Sequence, residues 1–140
     1  MKYLNNYVEK AQTKLFDKTG TFFAFGIDQF KDGITKKVKP LGLSKPIKIT
    51  DCGAGMFTPS INYKELANGL RDINKAGIKQ DIKENGIKAI IHRELANHEC
   101  QISMDITDAV EKLEDYGITR KQIKEQWKDY FNNCVKNDLF

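Results

Sequence analysis

Several residue types are scarce in this sequence. Proline occurs three times in 140 residues, arginine three times (Arg71, Arg93, Arg120) and histidine twice (His92, His98). Cysteine also occurs three times, at Cys52, Cys100 and Cys134, an odd number at wide spacing. That pattern argues against a secreted disulfide framework, and the expected location is a reducing cytoplasm. No run approaches the roughly 20 apolar residues of a membrane-spanning helix. Met1-Lys2-Tyr3-Leu4-Asn5-Asn6 also lacks the apolar core of a signal peptide, so no membrane association is expected. Lysine supplies all but three of the 23 basic residues, which stand against 19 acidic ones for a net charge of +4. Base readout and bidentate phosphate contacts favour arginine. A sequence-specific DNA binder is therefore not expected, and any nucleic-acid binding should be weak and salt-dependent.

What is present is a globular composition. The chain is 40% hydrophobic and 30% charged, with eight Phe, five Tyr and one Trp, too apolar for a disordered segment. Its length suits one domain, residues 1–140, and no repeat, low-complexity tract or linker interrupts it.

Apolar periodicity outlines the elements. Tyr3, Leu4, Tyr7, Val8, Ala11, Leu15 and Phe16 follow helical spacing up to Thr19-Gly20. Thr21–Phe25 reads as a strand buried on both faces, and 28–33 as a brief helix with Asp28 as N-cap and Phe30 turned inward. Lys36, Lys37, Lys39, Pro40 and Gly42 read as a loop. Ile47–Thr50 and Met56–Thr58 read as two strands around the Gly53 and Gly55 turn. A helical region from Asn62 to Asn97 breaks at Asn85-Gly86, with Leu66, Leu70, Ile73, Ile78 and Ile82 before the break and Ile87, Ile90, Ile91 and Leu95 after it. Cys100–Met104 alternates as a strand does. A short helix from Asp105 carries Ala109, Val110 and Leu113 and stops at Gly117. Thr119 with Gln122 forms a capping box that opens a last helix bearing Ile123, Trp127, Tyr130, Phe131, Cys134 and Val135. The expected class is α+β: a small antiparallel sheet of three or four strands packed against four to six helices.

Chemistry-bearing residues concentrate in His92-Arg93-Glu94-Leu95-Ala96-Asn97-His98-Glu99-Cys100. A zinc-peptidase helix needs two histidines one turn apart. At about 100° per residue His92 and His98 lie about 120° apart on a helix, and neither a metal nor another cofactor is expected. The same geometry puts Glu94 and His98 one turn apart inside the apolar stripe of Ile87, Ile90, Ile91 and Leu95. There they must be paired or hydrogen-bonded. They either tie the helix to its surroundings or form a couple suited to general-base catalysis, which makes them the catalytic candidates. Asp51-Cys52-Gly53-Ala54-Gly55 lacks the third glycine and immediate helix of a dinucleotide loop and reads as a tight hairpin. Lys36, Lys37 and Lys39, with Lys45 and Lys48, form one basic cluster, and Lys75, Lys79, Lys83 and Lys88 another; each reads as a solvated face or a non-specific phosphate contact. In the last helix Trp127 and Phe131 are expected inside. Tyr130 at the edge of the stripe and Phe140 at the chain end are expected as an exposed contact patch.

Three segments, Phe22–Phe30, Glu94–Cys100 and Asp105–Ala109, resemble a family of small proteins found on phages, plasmids and integrated mobile elements of low-GC bacteria. Its members carry a Phe-Ala-Phe strand followed by a Gln-Phe helix, a Glu-Leu-x-Asn-His-Glu-Tyr segment and an Asp-x-x-Asp-Ala helix. Order and spacing match over residues 15–120, with Cys100 where the family usually has Tyr. Glu94, Asn97, His98 and Glu99 fall on the shared segment. The resemblance implies no activity or cofactor. It implies an accessory protein of a mobile element, and hence one that binds a host macromolecule stoichiometrically, such as an inhibitor of a CRISPR effector or another bacterial defence protein. The expected binding residues are Asn97, Glu99, Tyr130, Phe140, Lys36, Lys37 and Lys39. The alternatives are a small enzyme using the Glu94–His98 couple and a weak nucleic-acid binder using the lysine clusters.

Overall fold

The computed structural model describes residues 1–140. Seven α-helices and one three-stranded antiparallel sheet make an α+β fold. The chain forms two compact units, one of Lys2–Gly77 and one of Met1 with Ile78–Phe140.

In the first unit, helix α1 (Leu4–Thr19) stops where Gly20 turns left-handed and donates its N–H to the Phe16 carbonyl. Strand β1 (Phe22–Phe23) follows. It is shorter than the expected 21–25 strand and covered on one face, with Phe23 51% and Phe25 78% exposed. Side chains of a strand alternate between faces, so burying Phe22 and Ala24 turns Phe23 and Phe25 outward.

Helix α2 (Ile27–Gly33) starts after Gly26, so Asp28 sits in its first turn rather than at the cap. The expected lysine loop is helical instead. A π-helical turn runs over Ile34–Val38 and a 3-10 turn over Lys39–Leu41, ending at left-handed Gly42. Val38 is fully buried here and anchors the segment to the core, which a run of lysines conceals.

Strands β2 (Ile49–Gly53) and β3 (Met56–Pro59) form the expected hairpin, with sheet order β1-β3-β2. Phe22, Ala24 and Val38 make this unit's core with Phe30, Ile34, Ile47, Ile49 and Phe57 around them. Phe30 turns inward as expected, edge-on to Phe22 and Phe57 at 5.6 and 5.1 Å. The buried hydroxyls of Thr19, Thr21 and Thr58 lie within hydrogen-bond reach of one another, Thr19 and Thr21 at 2.7 Å and Thr21 donating to Thr58 at 3.1 Å. None of the three hydroxyls is left unsatisfied.

Helix α3 (Tyr63–Asn85) contributes its first part to this unit. Gly69 and Gly77 face α1: a Cβ at Gly77 would lie 2.4 Å from a Val8 methyl, and one at Gly69 would lie 2.7 Å from a Leu15 methyl. The two glycines let the helices approach closely.

The second unit is helical. After the break at left-handed Gly86, α4 (Ile87–Asn97) is followed by α5 (Cys100–Ser103), α6 (Thr107–Leu113) and α7 (Arg120–Asn137). The segment expected as a strand, Cys100–Met104, is therefore helix α5. Left-handed Glu99 (φ 49°) and Met104 (φ 60°) bracket it. The apolar alternation there reflects no covered face, because Cys100 is buried while Ile102 and Met104 are exposed. The sheet accordingly has no fourth strand. The core comprises Ile90, Ile91 and Leu95 of α4, Cys100, Ala109, Leu113, Ile118, and Ile123, Tyr130 and Cys134 of α7. The expected capping box opens α7: Thr119 Oγ1 accepts from the Gln122 N–H at 3.2 Å, and Gln122 Oε1 accepts from the Thr119 N–H at 2.8 Å.

Gly77→Ala gains helix propensity and still should lower stability by about 1–3 kcal/mol, because the new methyl meets the stiff Val8 side chain. Urea denaturation of Gly77→Ala, Val8→Ala and the double variant checks this. The double variant should lose less than the sum of the single losses.

Candidate functional site

The segment richest in reactive side chains ends α4. Glu94 is buried as expected, with its Oε1 3.4 Å from Arg93 Nε and 3.5 Å from the Asn97 amide. His98 departs from the expectation. Its side chain is 30% exposed, and its Nε2 stands 3.6 Å from Glu94 Oε2, beyond hydrogen-bond distance. Helix α4 ends at Asn97, and His98 takes non-helical angles (φ −96°, ψ 8°). The helical phase that placed it in the apolar stripe no longer applies there. His92 points to other partners, Gln126 Oε1 at 3.1 Å and the edge of the Tyr130 ring at 5.7 Å. The two histidines thus contact different residues. No group of three or more His, Cys, Asp and Glu side chains is arranged to hold a metal ion.

The strongest electrostatics lie one layer deeper, at residues that periodicity did not single out. Asp81 of α3 is fully buried and accepts four hydrogen bonds. Arg93 supplies two, Nη1 to Oδ1 at 3.0 Å and Nη2 to Oδ2 at 2.8 Å. Tyr116 donates to Oδ2 at 2.6 Å and Asn85 to Oδ1 at 2.8 Å. Burial alone would raise the Asp81 carboxyl, but the hydrogen bonds from Arg93, Tyr116 and Asn85 outweigh it and hold the group below its ordinary value. Burial would likewise lower Arg93, and Asp81 overrides it upward. Burial raises Tyr116, and the bond to Asp81 raises it further. A carboxylate whose acceptor sites are all used and a phenol held protonated are poor proton carriers. The cluster is a structural clamp. The sequence signal for it is slight: Asp81 stands one helical turn after the buried Ile78, and nothing local marks Arg93 as its partner.

The other expected binding residues scatter. Asn97 and Glu99 are exposed at the end of α4. Tyr130 is a correction: it is buried at 5% exposure, its hydroxyl donates to Gln101 Oε1 at 2.7 Å, and it is no contact residue. With Ile123 as origin, Trp127, Tyr130 and Cys134 fall at about 40°, 340° and 20° on the wheel, so Tyr130 is central to the buried stripe. Phe131 and Val135, at about 80° and 120°, lie at its margin. Phe140 is 59% exposed and meets the Phe131 ring edge-on at 5.8 Å. Lys36 and Lys37 are held in ion pairs with Asp32 at 3.0 Å and Asp17 at 2.7 Å; Lys39 is in none. Burial pushes the Cys52 and Cys100 thiols up, opposite to what a nucleophile requires.

A different feature gathers exposed aromatic surface. A cleft of about 510 Å³ lies between α1, β1 and α2, lined by Phe16, Phe22, Phe23 and Phe25 together with Gln29 and the Asp17–Lys37 and Asp32–Lys36 ion pairs. Phe23 stands edge-on to Phe16 at 5.7 Å. Phe25 lies over the β2–β3 turn, where a Cβ on Gly55 would come within 2.4 Å of its ring.

The cleft contains the outer edge of the sheet. Ala24 donates to the Gly55 carbonyl at 2.8 Å, and Phe22 pairs with Phe57. Antiparallel alternation therefore turns the backbone of Phe22 and Ala24 toward β3 and that of Phe23 away from it. At the ends, Thr21 N–H is taken by the Phe16 carbonyl at 2.9 Å and Phe25 N–H by Gln29 Oε1 at 2.7 Å. Between them, Phe23 presents its N–H and C=O to the open edge, where no further strand lies.

Asp81→Asn takes from buried Arg93 its bidentate carboxylate, leaving only Glu94 at 3.4 Å, and should cost up to about 3–5 kcal/mol. Because folding holds the Asp81 carboxyl below its unfolded value, the stability it brings is complete above about pH 5 and is lost as the pH falls below about 4. Urea denaturation across pH 3–7 should show this acid slope in the wild type and a shallower one in Asp81→Asn. His98→Ala, at a half-exposed site, should cost less than about 1 kcal/mol in the same assay.

No curated protein and no solved structure matches this chain. The model of a family of unknown function (DUF7659) matches residues 4–133, a span that takes in the aromatic cleft and the Asp81 clamp, and the chain belongs to that family.

Proposed function

We propose that this protein acts by stoichiometric binding to a partner protein, and that the aromatic cleft takes an extended segment of that partner. The carrying observation is the open edge of β1: Phe23 offers an N–H and a C=O beside exposed phenylalanine rings in a cleft of about 510 Å³. Added strands draw affinity from backbone hydrogen bonds and specificity from side-chain pockets. Phe16, Phe23 and Phe25 supply such a pocket for an apolar side chain of the incoming segment. Exposed phenylalanine beside an unpaired edge is otherwise an aggregation liability. The Asp–Lys pairs at the rim reduce that liability and set a polar border around the apolar floor. The resemblance to mobile-element proteins directs the search for the partner to bacterial defence proteins, CRISPR effectors among them. The enzyme alternative rests on Glu94 and His98, which form no hydrogen-bonded couple.

The test compares capture from a bacterial lysate by the wild type and by Phe25→Asp, followed by native mass of the complex. Phe25 is 78% exposed, so the variant should keep its thermal midpoint within a few degrees. A partner retained at fixed stoichiometry by the wild type should fall at least about tenfold in affinity with Phe25→Asp, the scale of an interface anchor. In the complex the Phe23 amide should gain protection from hydrogen exchange. A partner held equally by both forms, or a dimer of this chain formed through the same edge without a partner, overturns the reading.

A further inference from the structure

We propose that a second recess in the N-terminal unit, between the π-helical turn and the Gly42–Ile47 segment, binds an anionic amphiphile: an alkyl chain with a single anionic head. The recess holds about 830 Å³, within the usual range of small-ligand sites. It shares no residue with the aromatic cleft and does not depend on that reading.

Two features of its lining select the ligand. Its apolar walls are Ile34, Leu43, Pro46 and Ile47, and Ile34 and Ile47 pack directly on the Phe22–Val38 core, which makes those walls firm. Its only charged or hydrogen-bonding side chains are Lys39 and Lys45. The neighbouring Lys36 and Lys37 are neutralised by Asp32 and Asp17, whereas Lys39 and Lys45 are in no ion pair. The recess therefore presents two uncompensated ammonium groups over an aliphatic surface. A peptide or sugar placed there would lose water from amides or hydroxyls that the aliphatic walls cannot hydrogen-bond. An alkyl chain has no such groups, and an anionic head matches the ammonium groups as a point charge. Free fatty acids, with a carboxylate head, and anionic phospholipids, with a phosphate head, share an alkyl chain beside one anionic group, so the experiment separates them.

The isotope-labelled full chain is titrated with sodium decanoate below its micelle concentration, with 1-decanol as the neutral match, and with anionic phospholipid vesicles in a sedimentation assay. The expected result is a saturable shift of the Ile34, Leu43, Lys45 and Ile47 amides with decanoate, and binding at least about tenfold weaker for decanol. Lys39→Glu with Lys45→Glu replaces two exposed attractions by repulsions and should weaken decanoate by about tenfold. Both lysines are exposed, so the thermal midpoint should be unchanged. Leu43→Asp, which alters the apolar wall instead, should abolish the shifts. Decanoate binding without vesicle binding identifies a free acid as the ligand; binding to both identifies a lipid-presented chain. The proposal is overturned by absence of a saturable shift, by equal affinity for decanoate and decanol, by shifts centred on Phe131 and Phe140, by insensitivity to the double lysine variant, or by vesicle sedimentation without decanoate binding.

Discussion

The C-terminal unit is organised around one buried charge. Asp81 has no access to water, and a carboxylate in that position is tolerable only if every acceptor site is filled and a cation lies beside it. Arg93 meets that demand with two parallel bonds, and Tyr116 and Asn85 complete it. The demand fixes the geometry of what surrounds it. Helices α3 and α4 must meet at one register for the guanidinium to reach both oxygens. The turn after α6 must then bring Tyr116 to the same carboxylate. Apolar packing of Ile90, Ile91, Leu95 and Leu113 supplies the bulk attraction but tolerates sliding. A bidentate pair does not, and that is how a small, mostly helical unit keeps a single arrangement.

The N-terminal unit solves a different problem, that of packing many aromatic rings around a very small sheet. Missing side chains make room. A Cβ at Gly33 would fall 2.2 Å from the Phe22 ring, and one at Gly55 would fall 2.4 Å from Phe25. Where the rings are covered they form a core; where the two-residue strand β1 runs out of sheet, Phe23 and Phe25 are left facing solvent. The candidate surface and the core thus come from one aromatic run, divided by strand alternation. The same unit separates its lysines into two kinds. Lys36 and Lys37 are tied to aspartates, and Lys39 and Lys45 flank an aliphatic recess with no counter-charge. A net charge of +4 conceals that division.

Most local signals in the sequence hold in the structure, the Asp28 cap and the lysine loop over 36–42 being the exceptions. The Gly20 stop of α1, the break at Gly86, the hairpin around Gly53 and Gly55, and the Thr119–Gln122 capping box depend on a few neighbouring residues, and each stands in the structure as read. The α+β class followed from the same signals. Readings that required knowing what lies opposite an element went astray. Cys100–Met104 alternates without a sheet to receive it and is helical. Tyr130 falls at the edge of α7 when the stripe is drawn through Ile123, Trp127, Phe131, Cys134 and Val135, yet the packing centres it on Ile123, Tyr130 and Cys134. His98 falls in the stripe only if α4 continues one residue further than Asn97, and it does not.

The sequence by itself therefore determined the class of fold, most element boundaries and turns, and the presence of Glu94 inside the helical stripe. Only the tertiary structure decided that Asp81 would find Arg93, that Phe23 and Phe25 would line an open edge, and that Lys36 and Lys37 would be neutralised while Lys39 and Lys45 would not. The division has a physical cause. Capping, turn geometry and periodicity are properties of a few consecutive residues. Charge pairing and exposure belong to groups brought together from distant positions, and no local pattern encodes which carboxylate a given cation will meet.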